Sequence, residues 1–356
     1  MGTPLRRGWT TGACATAAAK AACTALLTGE FPDPVSIVLP KGHTPAFALS
    51  QTALTGDAAM AAVVKDAGDD PDVTHGATIR ATVRRGPPGS GVTFRAGPGV
   101  GTVTKPGLPL PVGEPAINPV PRQLISAAVA EVGGLDVIVE VAVDDGEELA
   151  RHTWNPRLGI MGGLSILGTT GVVVPYSCSA WIDSIRRGVD VARAAGHRHV
   201  AACTGSTSEQ AVAQLYGLSE DALLDMGDFA GAALKYLRRH PVDRLTIAGG
   251  FAKLSKLADG HLDLHSGRSQ VNLDRLAQRA GLPHLATANT AMEALQLARA
   301  AGVPLADRVA EAARTEALAV LAGAPVDVDV LVIDRAGRLA GRAPSSTGGS
   351  RENPPP

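Results

Sequence analysis

Three cationic side chains between residues 249 and 268 have types and spacing suited to binding an anion. Lys253 and Lys256 are one helical turn apart, so a single anion could meet both ammonium groups. Arg268 adds a planar guanidinium fork that matches the geometry of a carboxylate. The segment therefore predicts the polar wall of a pocket for a negatively charged ligand.

The same segment contains His261, Asp263 and His265, which alternate along the chain. In extended backbone this alternation puts all three side chains on one face. His265 has the reference pKa nearest neutrality and Asp263 could orient its ring, so the pair are candidate acid–base groups. The alternative is that both bind a substrate carboxylate or brace the loop. Nothing nearby completes a metal site, so no metal is predicted.

Two predicted strands end in glycines just before predicted helices. "HVAACTG" ends at Gly205 and is followed by Ser206, and "LTIAGG" ends at Gly249 and Gly250. Ligands of parallel sheets bind at the carboxyl ends of the strands, so these junctions are predicted to bind a cofactor. The alternative for the first junction is an ordinary helix start, in which Ser206 and Glu209 form a capping box.

Glycines are also dense between residues 155 and 177. The spacing Gly163-x-x-x-x-Gly168-Thr169-Thr170 resembles a phosphate loop, but the lysine that would bind the β- and γ-phosphates is missing. The pattern therefore argues against a nucleoside triphosphate. The absence of G-x-G-x-x-G also argues against a standard dinucleotide site. The alternative is a glycine-rich turn that packs tightly.

Residues 6–27 combine two arginines with an alanine-rich stretch, as an export signal does. Lys20 interrupts the apolar run, and polar residues recur at every fourth position, so the pattern favours a tightly packed helix. Thr10, Thr11 and Gly12 form the predicted helix start, whose N–H groups could hold an anion.

Two further segments carry charged residues in predicted loops. The segment 103–122 is braced by prolines and contains Lys105 and Arg122, and Arg157 lies near the start of the glycine-rich stretch. The aspartate-rich segment 63–77 lacks the register of an EF-hand loop. We interpret this last segment as a solvated turn that follows a helix.

The order of the predicted elements indicates a two-domain protein. Residues 1–150 contain consecutive strands with few helices between them, which is typical of an α+β domain. Residues 151–339 alternate strands and helices and predict an α/β, Rossmann-like domain with a mostly parallel sheet, whose first strand would be residues 171–177. The boundary is predicted between 144 and 158, and residues 340–356 are predicted to be disordered.

The composition excludes several classes of function. The net charge of the 356 residues is -1 and the pI is about 6.8, so no surface for nucleic acid is predicted. No apolar run is long enough to cross a membrane. The four cysteines form no C-x-x-C pair and fit a reducing cytoplasm. The sequence leaves the oligomeric state open, including a homo-oligomer.

Taken together, four segments resemble the cobalt-precorrin-5B C(1)-methyltransferases of anaerobic cobalamin biosynthesis. They occur in family order and are "RRGWTTGACATAAAKAA", "VTKPGLPLPVGEPAINPVPR", "NPRLGIMGGLSILGTTGVVVPYS" and "GGFAKLSKLADGHLDLHS". The aspartate-rich segment 63–77 matches as well, while Trp9 and Phe251 are modest departures. An ordered set of this kind is far more specific than a single glycine motif.

The resemblance implies methyl transfer from S-adenosylmethionine to ring carbon 1 of cobalt-precorrin-5B, which gives cobalt-precorrin-6A. The substrate is a tetrapyrrole that already holds cobalt and carries acetate and propionate arms, so no metal bound by the protein is expected. The residues that could contact the substrate are Arg6, Thr10, Thr11, Gly12, Lys105, Arg122, Arg157, Gly168, Thr169, Thr170, Lys253 and Arg268.

Two functions from other classes remain alternatives. A non-catalytic tetrapyrrole carrier would use the same carboxylate-binding residues without a site for S-adenosylmethionine. An NAD(P)-linked tetrapyrrole reductase would use the α/β domain, but the missing G-x-G-x-x-G argues against it. Equilibrium binding of S-adenosylmethionine distinguishes the three.

Overall fold

The computed structural model describes residues 4–345, which divide into two compact units. The division falls between Cys178 and Ser179 and thus lies beyond the predicted boundary at 144–158. The reason is that residues 160–173 form short strands whose partners are residues 8–9, 99–100 and 102–103. These pairings attach the glycine-rich stretch to the N-terminal unit.

The N-terminal unit contains thirteen strands and three helices between residues 4 and 178. Its elements are β1 (Gly8–Trp9), α1 (Thr11–Thr28), β2 (Val35–Ser36), β3 (Ala46–Phe47), β4 (Gln51–Thr55), β5 (Ala58–Val64), β6 (Thr78–Arg85), β7 (Val92–Ala96), β8 (Gly99–Val100), β9 (Thr102–Val103), α2 (Pro119–Glu131), β10 (Val137–Val143), α3 (Gly146–Ala150), β11 (Ile160–Met161), β12 (Gly163–Leu164) and β13 (Val172–Val173).

A five-stranded sheet of order β4-β5-β6-β10-β7 forms the centre of this unit. Only the β10–β7 pair is parallel, as consecutive strands without crossover helices predict. Helix α1 packs against β5 and β6, and its alanines from Ala13 to Ala22 are fully buried. Small side chains on both surfaces let the helix lie close to the sheet, as the alanine-rich pattern predicts.

The segment 58–77 differs from its sequence-based interpretation. Residues 58–64 form β5 in the sheet, so the aspartate-rich segment follows a strand and not a helix. Lys65 is only 2% exposed, and its ammonium group contacts Asp72 and Thr74. The interpretation as a solvated turn was therefore wrong for this part of the loop, because a buried lysine must be paired.

The C-terminal unit contains five strands and seven α-helices within its described residues. Its elements are α4 (Ser179–Ala194), β14 (His199–Cys203), α5 (Ser206–Tyr216), β15 (Leu223–Asp225), α6 (Ala230–Leu237), β16 (Arg244–Gly250), α7 (Phe251–Ala258), α8 (Leu273–Ala280), α9 (Ala291–Ala300), α10 (Leu305–Leu321), β17 (Asp327–Ile333) and β18 (Leu339–Ala343), with 3-10 turns at Glu220–Ala222 and Pro283–Thr287.

The sheet of this unit has the order β15-β14-β16-β17-β18, and all its pairs are parallel except β17–β18. The parallel sheet that the alternation of strands and helices predicts is therefore present. Helix α5 packs on one face, where Val212 meets Ala201 and Ala248. The helices α4 and α6–α10 contribute to the core on the other face.

Two predictions about the limits of this sheet need correction. The predicted strand 171–177 is reduced to β13, which pairs antiparallel with β1 and lies outside the parallel sheet. Residues 340–343 belong to β18 beside β17, so the prediction of disorder from residue 340 does not hold for them. Pairing with a buried strand orders a sequence that has no apolar pattern of its own. Residues 346–356 lie outside the described part of the chain.

A buried carboxylate connects three strands to α5. Asp329 of β17 is fully buried and accepts hydrogen bonds from Thr246 of β16 at 2.8 Å and from Tyr216 of α5 at 2.6 Å. Arg244 Nε lies 3.2 Å from the same carboxylate, and His199 Nε2 lies 2.8 Å from the Thr246 hydroxyl. Because this hydroxyl donates its hydrogen to Asp329, it must accept a hydrogen bond from His199 Nε2–H, so the neutral ring carries its proton on Nε2.

No helix within residues 4–345 combines the length and the apolar character that a membrane span requires.

We expect the stability of the C-terminal unit to fall as the pH drops from about 6.5 to about 4. Burial, with the charge of Arg244, lowers the pKa of His199 to about 4, whereas the unfolded chain takes up a proton near 6.5. The folded state therefore binds fewer protons in this window. Between pH 6.5 and pH 4, His199→Gln should reduce the loss in free energy of unfolding by about 1–2 kcal/mol, a figure that allows for the partial exposure of His199.

The measurement is amide hydrogen exchange of β14, β16 and β17, corrected for intrinsic exchange rates. His284→Gln is the control because that side chain is exposed. An unchanged pH dependence in His199→Gln would contradict the prediction.

Candidate functional site

The carboxyl ends of β14 and β16 form the most distinctive feature of the C-terminal unit. These strands are neighbours, yet α5 leaves β14 toward one face of the sheet and α7 leaves β16 toward the other. A crevice opens where adjacent strands send their helices to opposite faces, and α/β proteins bind ligands there. The predicted cofactor-binding glycines lie at this point.

The three glycines at these strand ends have different surroundings. A Cβ atom at Gly249 would lie 2.6 Å from Thr204 Oγ1, so the absence of a side chain lets the two strand ends come together. A Cβ atom at Gly205 or Gly250 would meet no atom within 4 Å, so open space lies in front of both. Thr204 thus packs against Gly249, while the space beside Gly205 and Gly250 would let a ligand approach the backbone.

The predicted capping box at the start of α5 does not form. Helix α5 begins at Ser206, and Gly205 occupies the N-cap position without a side-chain hydrogen bond to the helix. The hydroxyl of Ser208 instead bonds back to the carbonyl of Gly205 at 2.7 Å. The predicted cofactor residue Ser206 therefore lies in the first turn of the helix and does not cap it.

Lys253 and Lys256 have different surroundings. The ammonium group of Lys253 donates to the carbonyl of Thr204 at 3.1 Å and lies 3.1 Å from Asp228 Oδ1. The ammonium group of Lys256 is buried and donates to the carbonyl of Leu264 at 2.8 Å. The expectation that both ammonium groups meet one anion is therefore wrong, since each is bound to a different loop of the protein.

The segment with Asp263 and His265 is an irregular loop and not a strand. Arg268 Nε lies 2.6 Å from Asp263 Oδ2, while Asp263 Oδ1 accepts the backbone N–H of His265 at 3.1 Å. The ring of His265 is exposed, and its Nδ1 accepts the N–H of Gly267 at 3.1 Å. In the neutral ring the proton therefore sits on Nε2.

This loop lies against the segment that follows β15. The N–H of Leu264 donates to the carbonyl of Asp228 at 2.8 Å, and the guanidinium of Arg268 lies 5.9 Å from the centre of the Phe229 ring. The structure thus gathers the predicted cofactor-binding glycines, Lys253 and the acid–base candidates at one edge of one sheet. In the described part of the chain, no three residues of the kinds that ligate metals lie close enough to hold an ion.

The N-terminal unit brings together a second group of predicted residues. The N–H of Thr10 donates to the carbonyl of Gly171 at 3.0 Å, and the N–H of Gly12 donates to that of Leu167 at 2.8 Å. Gly168 lies against Thr10 so closely that a Cβ atom would overlap the threonine side chain. The start of α1 and the glycine-rich loop therefore form one structure.

These contacts change what the start of α1 can offer to a ligand. The N–H of Gly12 is bonded to the loop, and the N–H of Ala13 donates to Thr10 Oγ1 at 3.2 Å. Thr11 and Gly12 are also buried, whereas Thr169 is exposed. Two of the N–H groups that could have held an anion are thus already paired within the protein.

The predicted cationic residues of this unit have defined positions. Arg122 donates to the carbonyl of Ile117 at 2.8 Å and to Glu114 Oε2 at 2.9 Å, so its guanidinium fixes the proline-braced loop. Arg157 lies 4.8 Å from the centre of the Trp154 ring. The aliphatic stem of Lys105 packs against Gly159.

Sequence reasoning did not single out Arg6 together with Asp66. The Arg6 guanidinium binds both oxygens of the Asp66 carboxylate, and this hydrogen bonding lowers the pKa of Asp66 to about 2. The pair holds the aspartate-rich loop beside β1, where Trp9 N–H donates to the carbonyl of Asp66 at 2.7 Å. The run of aspartates in the sequence was the available signal, but spacing alone did not identify a partner 60 residues away.

Comparison with known proteins gives a consistent result. A family model described as CbiD matches residues 1–175, and a model described as CbiD, C-terminal domain, matches residues 263–344. Curated relatives from Brucella canis and Brucella abortus, each named cobalt-precorrin-5B C(1)-methyltransferase, are 61% identical over 351 residues, which is 95% of each chain. The Brucella melitensis relative is 61% identical over 352 residues, again 95% of each chain.

The chain belongs to the CbiD family. The first family model ends close to the division between the two units, and the second covers the segment from Asp263 through β18. Among solved structures, the 1.9 Å crystal structure of the cobalamin biosynthesis protein cbiD from Archaeoglobus fulgidus is 26% identical, covers 84% of this chain and 85% of its own, and has a TM-score of 0.40.

For this CbiD family member, we expect Gly168→Ala to destabilise the N-terminal unit by about 2–4 kcal/mol. Gly168 has a φ of +137°, and the added Cβ atom would overlap Thr10. Gly162→Ala is the matched control, because Gly162 also has a positive φ of +83° but no atom within 4 Å of the added Cβ.

The free energy of unfolding of the Gly162→Ala control should fall by only about 1 kcal/mol, because of backbone strain alone. Urea unfolding of both variants measures the difference. Equal losses would show that the contact between Gly168 and Thr10 contributes nothing beyond the backbone conformation.

Proposed function

We propose that this protein transfers a methyl group from S-adenosylmethionine to ring carbon 1 of cobalt-precorrin-5B, giving cobalt-precorrin-6A in anaerobic cobalamin biosynthesis. The observation that carries the proposal is 61% identity over 95% of the chain to relatives named for this activity. No observation favours the carrier or the NAD(P)-linked reductase. The substrate would be a cobalt-containing tetrapyrrole, and the reaction would take place in the cytoplasm.

The crevice at the ends of β14 and β16 fits the methyl donor. Gly205 and Gly250 leave open space that a side chain would fill, and Ser206 opens the helix beside it. Gly249 is needed so that Thr204 can pack against it. S-adenosylmethionine supplies an activated methyl group when it is bound. We propose that these four residues, Gly205, Ser206, Gly249 and Gly250, hold it.

Lys253 supports this assignment by fixing the loops around the crevice. Its ammonium group connects Thr204, which follows β14, to Asp228, which follows β15. Both contacts lie at the carboxyl edge of the sheet, so the lysine sets the positions of two of the loops that a bound donor would meet. Partial exposure of Lys253 also leaves its positive charge accessible to a carboxylate of the donor or the substrate.

The nucleophile in this reaction is a carbon of the substrate, so the protein need not provide one. Its contribution would be alignment of the reacting atoms and exclusion of water. We propose that acidic arms of the substrate meet Lys105 and Arg157 of the N-terminal unit, together with the polar groups around Thr10 and Thr169 of the same unit. The guanidinium groups of Arg6 and Arg268 already bind the carboxylates of Asp66 and Asp263, so their contribution would be indirect. Arg122 would act indirectly, because its guanidinium already holds the loop at residues 114–117.

The activity can be tested with the purified full-length chain, S-adenosylmethionine and authentic cobalt-precorrin-5B. We expect a product that is heavier by one methyl group and methylated at ring carbon 1, as measured by mass spectrometry and NMR. Folded protein that binds the substrate but yields no methylated product would support the carrier instead.

The acid–base role of Asp263 and His265 stays a prediction, which kinetics can test. An acid–base role requires His265→Ala to lower kcat by about 10²–10⁴-fold. The hydrogen bonds among Asp263, His265, Gly267 and Arg268 support a bracing role, so we expect kcat to change less than tenfold. His261→Ala serves as a control on the same loop. A large fall in kcat at unchanged KM would restore His265 to the catalytic residues.

A further inference from the structure

The end of β15 carries a carboxylate in a position with a specific meaning for α/β folds. Asp225 is the last residue of β15 and follows Gly205 by about 20 residues, across one strand–helix–strand unit. In such units the acidic residue at the end of the second strand can accept hydrogen bonds from the hydroxyls of a ribose, while the glycine turn lies beside it. The sequence lacks the G-x-G-x-x-G fingerprint of such units, but β14, α5 and β15 have their strand–helix–strand topology.

The register of the strands places the Asp225 side chain on the correct face. Cys203 pairs with Asp225 and Ala201 pairs with Leu223, and Ala201 and Cys203 belong to the core cluster on the α5 face. The carboxylate therefore points to the side on which α5 begins. Its Oδ1 accepts the N–H of Gly227 at 3.0 Å, which fixes its orientation.

An exposed aromatic side chain of α4, which packs on the other face of the sheet, is held at the end of β15. The indole Nε1 of Trp181 donates to the backbone carbonyl of Asp225 at 3.1 Å, and the ring is 41% exposed. Phe229 packs edge-on against the indole with ring centroids 6.1 Å apart. Gly227 has a φ of +53°, and a Cβ atom there would lie 2.9 Å from the indole. A large apolar ring that is both fixed and solvent-facing is suited to stacking with another flat ring.

We propose that this end of the sheet binds the adenosine part of S-adenosylmethionine. The two ribose hydroxyls would donate to the Asp225 carboxylate, and the adenine would pack against the indole of Trp181. The inference rests on the proposed function, because it takes the methyl donor as the source of the adenosine. A dinucleotide such as NAD also contains adenosine, so it forms a separate arm of the test. The 2′-phosphate of NADP would be repelled by the Asp225 carboxylate.

The first experiment is isothermal titration calorimetry of the full-length chain with S-adenosylhomocysteine. We expect Asp225→Asn to weaken binding by about 10–100-fold, because charge-assisted hydrogen bonds to both hydroxyls are lost. The asparagine oxygen can still accept the N–H of Gly227, so the turn should be retained. Asp243→Asn is the control, since Asp243 is exposed and precedes the amino end of β16.

A cycle with a modified ligand tests for direct contact. The 2′-deoxyribose analogue of S-adenosylhomocysteine should bind the unmodified protein about tenfold more weakly than the parent compound. It should bind Asp225→Asn about as well as the parent does. If removal of the 2′-hydroxyl has the same effect on both proteins, Asp225 does not contact the ribose and the inference is wrong.

Tryptophan fluorescence gives a readout that does not depend on the folding of the Asp225 variant. S-adenosylhomocysteine should change the fluorescence of the unmodified protein, and Trp181→Phe should lose that change while Trp9 and Trp154 remain as internal references. NAD and NADP should produce no such change. Binding of S-adenosylhomocysteine that leaves Trp181 fluorescence unaffected would overturn the placement while leaving the methyltransferase proposal intact. No binding, with no methylation, would remove both.

Discussion

The parallel pairing of β14 with β16 is the constraint on which the candidate cofactor site depends. The two strands must approach at the ordinary spacing of a sheet while their following helices depart to opposite faces. Gly249 makes this geometry feasible at the carboxyl end, where any side chain would collide with Thr204. At the other end, Thr246 and Asp329 join β16 to β17 within the sheet. A shift of one residue would turn the buried carboxylate to the opposite face and leave it without its partners.

Helix α5 depends on the same network. It is the only α-helix of the described C-terminal unit that packs on its face of the sheet, and the core cluster beneath it is small. The hydroxyl of Tyr216, in the last turn of α5, donates a hydrogen bond to Asp329 at 2.6 Å and so fixes that turn. The first turn then begins at Ser206, beside the crevice. A polar contact at one end of the helix thus helps to set the position of a ligand-binding loop at the other end, which supports alignment as the main contribution to catalysis.

The sequence predicted the elements whose pattern is local. The alternation of apolar strands with helices predicted the parallel sheet, and the alanine-rich run predicted the packed helix α1. The glycines at 205, 249 and 250 were correctly placed at strand ends. These features depend on residues that are close in sequence or on the order of the elements, and both can be read from a single sequence.

The features that depended on distant partners were not predicted. Lys65 is buried because Asp72 and Thr74 fold back over it, and residues 340–343 are ordered because β17 is beside them. Arg122 and Lys256 are cations that the sequence suggested for ligand binding, but each is held by a carbonyl of its own unit. Residue type indicates what a side chain can bind, and only the fold shows which partner reaches it first.

The pairing of β1 with β13 also has a consequence for the order in which the chain folds during synthesis. The first helix leaves the ribosome early, but Thr10 and Gly12 bond to Gly171 and Leu167, which are made some 150 residues later. At roughly 5–20 residues per second, α1 would wait about 10–30 seconds for these partners. The apolar faces of α1 pack on β5, β6 and α2, which are made earlier, so only the start of the helix lacks its partners during this interval. The N-terminal unit is therefore completed late, when the glycine-rich loop arrives and binds the start of α1.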